Sequence, residues 1–188
     1  MGDLMHTIAD PEHRALFDWW LTARGERDMP SRADFDPLDH PGWLPRLFIV
    51  EVNSEPPVFR YRLCGTEIDV QQGYAMTGHT FEELFEGELL RFTCDRFTDV
   101  AFNRRISYHS THFSNDNIAK RSRFTRLLLP LSDDGARVDT ILGSRIEASN
   151  FRRNFDQLDH DAAVRRRYEV AMVAAADAAR AEVAVRWL

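Results

Sequence analysis

The sequence predicts an α+β domain, an antiparallel five-stranded sheet with helices on one face and one further helix at each end. Three observations point there. Phe59, Tyr61 and Leu63 alternate with Arg60 and Arg62, the period-2 pattern of a strand with one buried and one wet face. Asp134-Gly135 lies between two apolar runs, among the strongest hairpin signals a sequence offers. Leu90, Cys94, Phe97 and Ala101 recur at spacings of four, three and four residues, which places them on one helical stripe.

Taken in order, Asp10-Pro11-Glu12 is a helix start, because the carboxylate accepts orphan backbone N–H bonds and proline loses nothing at the first helical position. Leu16, Trp19, Trp20 and Ala23 follow at helical spacing, and Gly25 suits the residue after the helix end. Two adjacent tryptophans carry too much apolar area to leave wet, so this helix packs on the domain's own sheet or on a second copy. Leu16, Trp19 and Trp20 are therefore interface candidates. Asp28 to Pro45 contains Pro30, Pro37, Pro41 and Pro45 and reads as an ordered, extended strap anchored by Trp43 and Leu44.

Leu47–Val52 and Phe59–Cys64 form an expected hairpin of strands, followed by short irregular helices punctuated by Gly73 and Gly78. Phe81, Leu84 and Phe85 begin a helical pattern that continues from about Glu86 to Arg105. Ile106–Phe113, Phe124–Leu131 and Arg137–Ala148 are the remaining strands, with a polar loop over Ser114–Arg123. Asp159 and Asp161 then open a predicted last helix, on which Val164, Tyr168, Met172, Ala175, Ala179, Val183 and Trp187 form one stripe. Tyr168, Met172 and Trp187 are its interface candidates, and helical pairing or packing on the sheet are equally open.

Composition narrows the function. The chain has 24 basic against 30 acidic residues, a net charge of −6, which argues against wholesale binding of nucleic acid or of an anionic membrane. No apolar run approaches the roughly 20 residues that span a bilayer, no hydrophobic signal segment opens the chain, and a cytoplasmic location is expected. Cys64 and Cys94 form neither a metal spacing nor a disulfide framework, and Cys94 sits on the apolar stripe as a small buried residue. Asp36, Asp39 and His40 have no ligand spacing, and His109 and His112 fall on opposite faces of a strand. Gly73 to Thr80 comes close to a phosphate-binding GxxxxGK[ST] loop, but His79 replaces the lysine and no buried strand precedes Gly73. No catalytic motif is present, and the chain is expected not to be an enzyme.

The order of elements is that of a PAS domain, and the residues carry a direct resemblance to bacterial stand-alone PAS proteins of the PAS_5 type. The matching pieces are Trp20 with Arg24, the strap Pro30-Ser31-Arg32-Ala33-Asp34-Phe35-Asp36-Pro37, Leu44-Pro45, Phe59 to Thr66, Gly73, Thr77-Gly78, and Leu129-Pro130-Leu131-Ser132 with Asp134-Gly135. The resemblance spans residues 16–148 and departs at His79, where arginine is expected. It divides the chain into an N-terminal helix and strap (1–45), a PAS core (46–148) and the C-terminal helix (149–188).

What it implies is a sensory or regulatory module for protein–protein interaction, with a pocket between sheet and middle helices. Phe48, Val50, Tyr61, Leu63, Phe81, Leu84, Phe97, Tyr108, Leu129 and Ile141 are the residues expected to contact a small molecule there. The ligand's identity is open. No cofactor is expected: the reactive-cysteine setting of flavin-binding versions is absent, and His79 or His109 would be the lone axial candidates for a haem. A homodimer and a regulatory partner protein are the expected partners, with a dimerisation scaffold around a closed core, or a small-molecule enzyme, as alternatives.

Overall fold

Asp10 sets the start of the first long helix as its sequence dictates: its Oδ1 accepts the backbone N–H of Glu12 at 2.8 Å and of His13 at 3.4 Å, and Pro11 follows. The computed structural model describes residues 4–53, 56–115, 120–147, 164–174 and 184–187. A single turn, α1 (Leu4–Thr7), precedes that helix, α2 (Pro11–Arg24). The inward side of α2 is His13, Leu16, Phe17 and Trp20, all buried within the chain. Trp20 Nε1 donates to the Pro130 carbonyl at 2.9 Å, so the indole is held in the chain's own core by packing and by a hydrogen bond.

The strap is ordered by side chains that cap short turns. Ser31 and Asp34 form a capping box around the turn Arg32–Asp34, and Asp36 Oδ1 accepts from Leu38 N at 2.9 Å at the next, Pro37–Asp39. Phe35 packs edge-on against Trp19 with centroids 4.9 Å apart, and His40 stacks on Trp43 at 4.1 Å. Asp36 and His40 thus serve the strap. A third turn, Leu44–Arg46, carries Arg46, whose guanidinium joins Glu12 of α2 to Glu67 beyond the next hairpin.

Five antiparallel strands follow, β1 (Leu47–Asn53), β2 (Val58–Cys64), β3 (Arg105–Asn115), β4 (Lys120–Leu131) and β5 (Thr140–Glu147), in the order β2-β1-β5-β4-β3. Between β4 and β5, Asp134 Oδ1 accepts from the backbone of Ala136 and Arg137, each at 2.8 Å, which fixes the turn that Asp134-Gly135 predicts. Three helices, α3 (Thr66–Gln72), α4 (Phe81–Leu84) and α5 (Gly87–Phe102), cover the sheet face opposite α2. Of these, α5 packs across β3, β4 and β5. Gly73 ends α3 with φ of +86°, a left-handed conformation that costs a glycine little.

The structure corrects two elements: the expected polar loop Ser114–Arg123 is strand at both ends, since β3 runs to Asn115 and β4 begins at Lys120, and the C-terminal helix is replaced by strands. Val164–Ala174 is a strand, β6, paired antiparallel along the whole of β3, and Ala184–Trp187 is a further strand, β7, on β6. The sheet therefore runs β2-β1-β5-β4-β3-β6-β7. The spacing of Val164, Tyr168 and Met172 is four, which is a helical step and equally a multiple of the strand period of two. Edge strand β3 breaks the tie, because its outer row of backbone N–H and C=O groups is a template along which residues 164–174 pair throughout as a strand. Tyr168 pairs opposite Thr111, Met172 opposite Ser107 and Trp187 opposite Glu169, so these three do not form the helical interface expected of them. Residues 175–183 of that stripe, and Asp159 and Asp161, lie outside the described residues.

Candidate functional site

Strand register divides the helix-covered face of the sheet into rows. Tyr61, Val50 and Ile141 are cross-strand neighbours in one row, with Pro130 beyond them. The next row is Cys64, Phe48, Gly143, Leu128 and Ser107. A third row is Arg145, Arg126 and His109. The rows change from apolar to cationic within two residues of each strand.

The apolar end is an aromatic cluster. Phe81 of α4 lies 5.3 Å from Phe59, 5.1 Å from Tyr61 and 4.7 Å from Phe97 of α5, centroid to centroid, and Phe48 meets Tyr61 at 5.9 Å. Phe48 fits because residue 143 is glycine: a Cβ there would stand 2.1 Å from the Phe48 ring. Such rings dominate core energetics, each adding about 0.5–1.5 kcal/mol per favourable pair beyond its buried area.

The cationic end is buried as well. Arg145 is 2 % exposed and Arg126 9 %, on two central strands, and both guanidiniums lie against the Phe124 ring, at 4.3 and 5.1 Å from its centroid. Arg145 Nη1 donates to Gln72 Oε1 of α3 at 3.2 Å. Burial, then the neighbouring charge of Arg126, draws the Arg145 pKa down to about 9. His109 Nδ1 is 3.5 Å from Ser107 Oγ, its ring stands edge-on to Phe92 of α5, and burial together with the Arg126 and Arg96 charges holds it neutral. Its Nε2, and Thr93 Oγ1 on the inward side of α5, are buried without a hydrogen-bond partner. Tyr61 and Cys64 complete the boundary between the two ends; burial raises both, the thiol to about 12, so Cys64 stays protonated.

A PAS domain model, PAS_5, matches residues 8–146. The chain belongs to the PAS family. A comparison with curated proteins returns no match. The PAS match extends over α2 and the strap as well as the five-stranded core.

Of the ten residues expected to contact a small molecule in a cradle between sheet and helices, Phe48, Val50, Tyr61, Phe81, Phe97 and Ile141 share the helix-covered side, and Leu84 is partly buried at the end of α4. Three do not. A bulge in β2 makes Ile49 pair with Leu63 while Val50 pairs with Tyr61, so Arg62 is the extra residue and Leu63 turns to the α2 side. Cys64 takes its place in the cradle. Tyr108 meets His13 of α2 edge-on at 5.8 Å, and Leu129 pairs with Leu142, so both belong to the opposite face. Of the interface candidates, Leu16 and Trp20 are buried in the core, and Trp19 is half-buried against the strap.

Arg126, Arg145, His109, Gln72 and Thr93 were absent from the expectation, although the first two leave a signal. Arg126 alternates with Phe124 and Leu128, and Arg145 with Ile141 and Gly143, so each arginine sits on an inward parity of a strand buried on both faces. His79 is exposed with Nδ1 3.7 Å from Glu83, and among the described residues no His, Cys, Asp and Glu cluster of metal-ligating geometry occurs. No described helix is long and apolar enough to cross a membrane.

Proposed function

We propose that this PAS domain is a non-enzymatic sensory and regulatory module, in which a small molecule held between the sheet and α3–α5 gates binding of a partner protein. The observation that carries the reading is the buried polar row Arg145, Arg126 and His109, set beside the aromatic cluster under the same helices. A cradle that served packing alone gains nothing from buried guanidiniums, since apolar residues of similar volume are as stable or more so. Apolar walls with a few convergent polar groups are the usual make-up of a small-molecule site.

The output side follows from how the cradle is tied to the rest. Arg46 joins Glu67 of α3, which also carries Gln72, to Glu12 of α2 on the far face of the sheet. A ligand that moves α3 therefore acts on α2 through ion pairs as well as through the sheet. The proposal includes a homodimer and a cytoplasmic location, with residues 1–45 as an extension that reports the state of the core 46–148. Light scattering on the eluted protein tests the dimer, and a monomer at tens of micromolar contradicts it.

Native mass spectrometry of the protein isolated from its own cells tests the ligand. A retained molecule of defined mass, lost in Tyr61→Ala or Phe97→Ala, is the expected result. Unchanged partner capture by those two variants, with and without that molecule, contradicts a gated pocket.

A further inference from the structure

Resting on that reading for the existence of a partner protein, we propose that the partner is engaged through an acidic segment laid on the arginine-bearing face of the arm formed by β4, β3 and β6. Pairing of β4 with β5 ends at Phe124, opposite Glu147. The pairings of β4 with β3 and of β3 with β6 continue to Lys120, Asn115 and Val164, so three strands run four rows past β5. In these rows His112 lies between Arg123 and Arg167, Phe113 between Ser122 and Arg166, Ser114 between Arg121 and Arg165, and Asn115 between Lys120 and Val164.

Alternation along a strand assigns the first and third of these rows to one face. It continues the side on which Tyr108 and Thr125 meet His13 of α2. That face takes Arg121, Arg123, Arg165 and Arg167, with His112 and Ser114 on the middle strand. Strand spacing and rise put the four arginine positions at the corners of a rectangle of about 10 Å by about 7 Å. Arg123 is exposed, and its Nε donates to Ser110 Oγ at 2.9 Å, which anchors the fork through one of its donors.

The positive surplus does not depend on which carboxylates lie close. Residues 111–124 and 148–171, the arm together with all of the chain that links β5 to β6, hold eight Lys or Arg against five Asp or Glu, in a chain of net charge −6. Of the five, Glu169 sits on the same face opposite Ser110, and Asp116, Asp156, Asp159 and Asp161 lie outside the described residues. From α2, Asp10 acts on Tyr108 alongside Arg123, and its carboxylate accepts the backbone N–H groups of Glu12 and His13. Pairing all six with arginines still leaves the arm cationic.

The size of the patch selects the occupant. It is no larger than the screening length of about 8–10 Å, so it attracts a short segment, while the acidic remainder of the chain repels a long polyanion such as a duplex or a membrane. None of the six residues on the face is Phe, Tyr or Trp, the stacking platforms of single-stranded nucleic acid. Carboxylates at alternate positions of an extended segment stand about 7 Å apart, the short side of the rectangle, and guanidinium forks suit their two-oxygen edge.

The test is fluorescence anisotropy of a labelled decapeptide of alternating Glu and Ser with the full chain, against the same peptide with Gln for Glu. The expected result is saturable binding that prefers the Glu peptide and weakens as sodium chloride rises from about 50 to about 200 mM. Arg121→Gln with Arg165→Gln is expected to weaken it about fivefold or more. Arg62→Gln with Arg91→Gln removes the same charge from exposed positions elsewhere and is expected to weaken it less than about twofold. Should the first pair fail to melt cooperatively, Arg123→Glu at an exposed position, set against Arg62→Glu, is expected to reproduce the contrast.

Equal affinity for the two peptides, or equal losses in the two pairs of variants, overturns the arginine face. Tighter binding of a short DNA duplex or of phosphatidylserine vesicles than of the Glu peptide overturns it in favour of those occupants. Self-association that Arg121→Gln with Arg165→Gln abolishes overturns it in favour of a second copy. The peptide is read without any ligand in the cradle, so the two readings fail separately. Peptide recognition with no molecule retained in native mass spectrometry overturns the gated module alone, and a retained molecule with no peptide recognition overturns this inference alone.

Discussion

The two faces of the sheet are built from alternate residues of the same strands, and they differ in kind. Toward α2, the strands present Tyr108, Thr125, Leu127, Leu129, Leu142 and Ser144, and two side chains of α2 reach backbone carbonyls on this side: His13 Nε2 lies 3.2 Å from that of Ser144 and Trp20 donates to that of Pro130. Toward α3–α5, one residue along, the same strands present Ser107, His109, Arg126 and Arg145. Apolar burial with matched hydrogen bonds stabilises, whereas buried like charges do so only when something offsets them. The α2 face thus holds the domain together by packing, and the other face carries buried polar and charged groups beside its aromatic cluster.

The largest expected effect tests the stabilising face. Trp20→Ala removes a fully buried indole and its hydrogen bond to Pro130, and is expected to cost about 3–5 kcal/mol in urea unfolding. A loss below about 1 kcal/mol would mean that α2 is a loosely attached extension.

Next in size is a pH effect that both faces share. Burial draws His13 to about 4 from its ordinary 6.5, so between those pH values the unfolded chain binds a proton that the folded chain refuses. Stability therefore falls as pH drops from 6.5 to 4, by about 3 kcal/mol for this group, and His109, also held low, adds an effect of the same sign. Equilibrium unfolding at pH 4.5 and 7 measures the sum. His13→Gln and His109→Gln each flatten part of the slope, and a slope untouched by both contradicts the account of these two rings.

Arg145→Met sharpens the contrast because its sign is opposite to that of Trp20→Ala. Replacing the buried guanidinium by an apolar side chain is expected to leave the domain as stable or to stabilise it by about 1–3 kcal/mol, read from the urea midpoint. The smallest expected effect concerns the tie between the faces. Arg46→Ala breaks half-exposed ion pairs to Glu12 and Glu67 and should cost no more than about 1 kcal/mol, lessened further by salt. Hydrogen exchange in α2 that follows ligand addition in the wild type, and ceases to do so in Arg46→Ala, would identify this tie as the coupling route.

Local patterns made most of the architecture legible. Asp10-Pro11 fixed a helix start, Asp134-Gly135 a hairpin, and the Phe59 to Leu63 alternation a half-wet strand, since each depends on neighbours in sequence. What long-range pairing decides was hidden. The bulge at Arg62 exchanges Leu63 for Cys64 in the cradle without leaving any mark in composition. The four-residue spacing of Val164, Tyr168 and Met172 suits either period, and only the open edge of β3 selects strand. At the site, hydrophobicity drew Tyr108 and Leu129 into the expectation, while parity would have excluded them and nominated Arg126 and Arg145 instead. A charged residue on the buried parity of a central strand was the readable signal.

The most direct measurement compares the urea midpoints of Trp20→Ala and Arg145→Met with that of the wild-type chain. The two faces of the sheet are expected to answer differently, Trp20→Ala losing about 3–5 kcal/mol and Arg145→Met losing nothing. A loss in Arg145→Met as large as that in Trp20→Ala would contradict the contrast between the two faces.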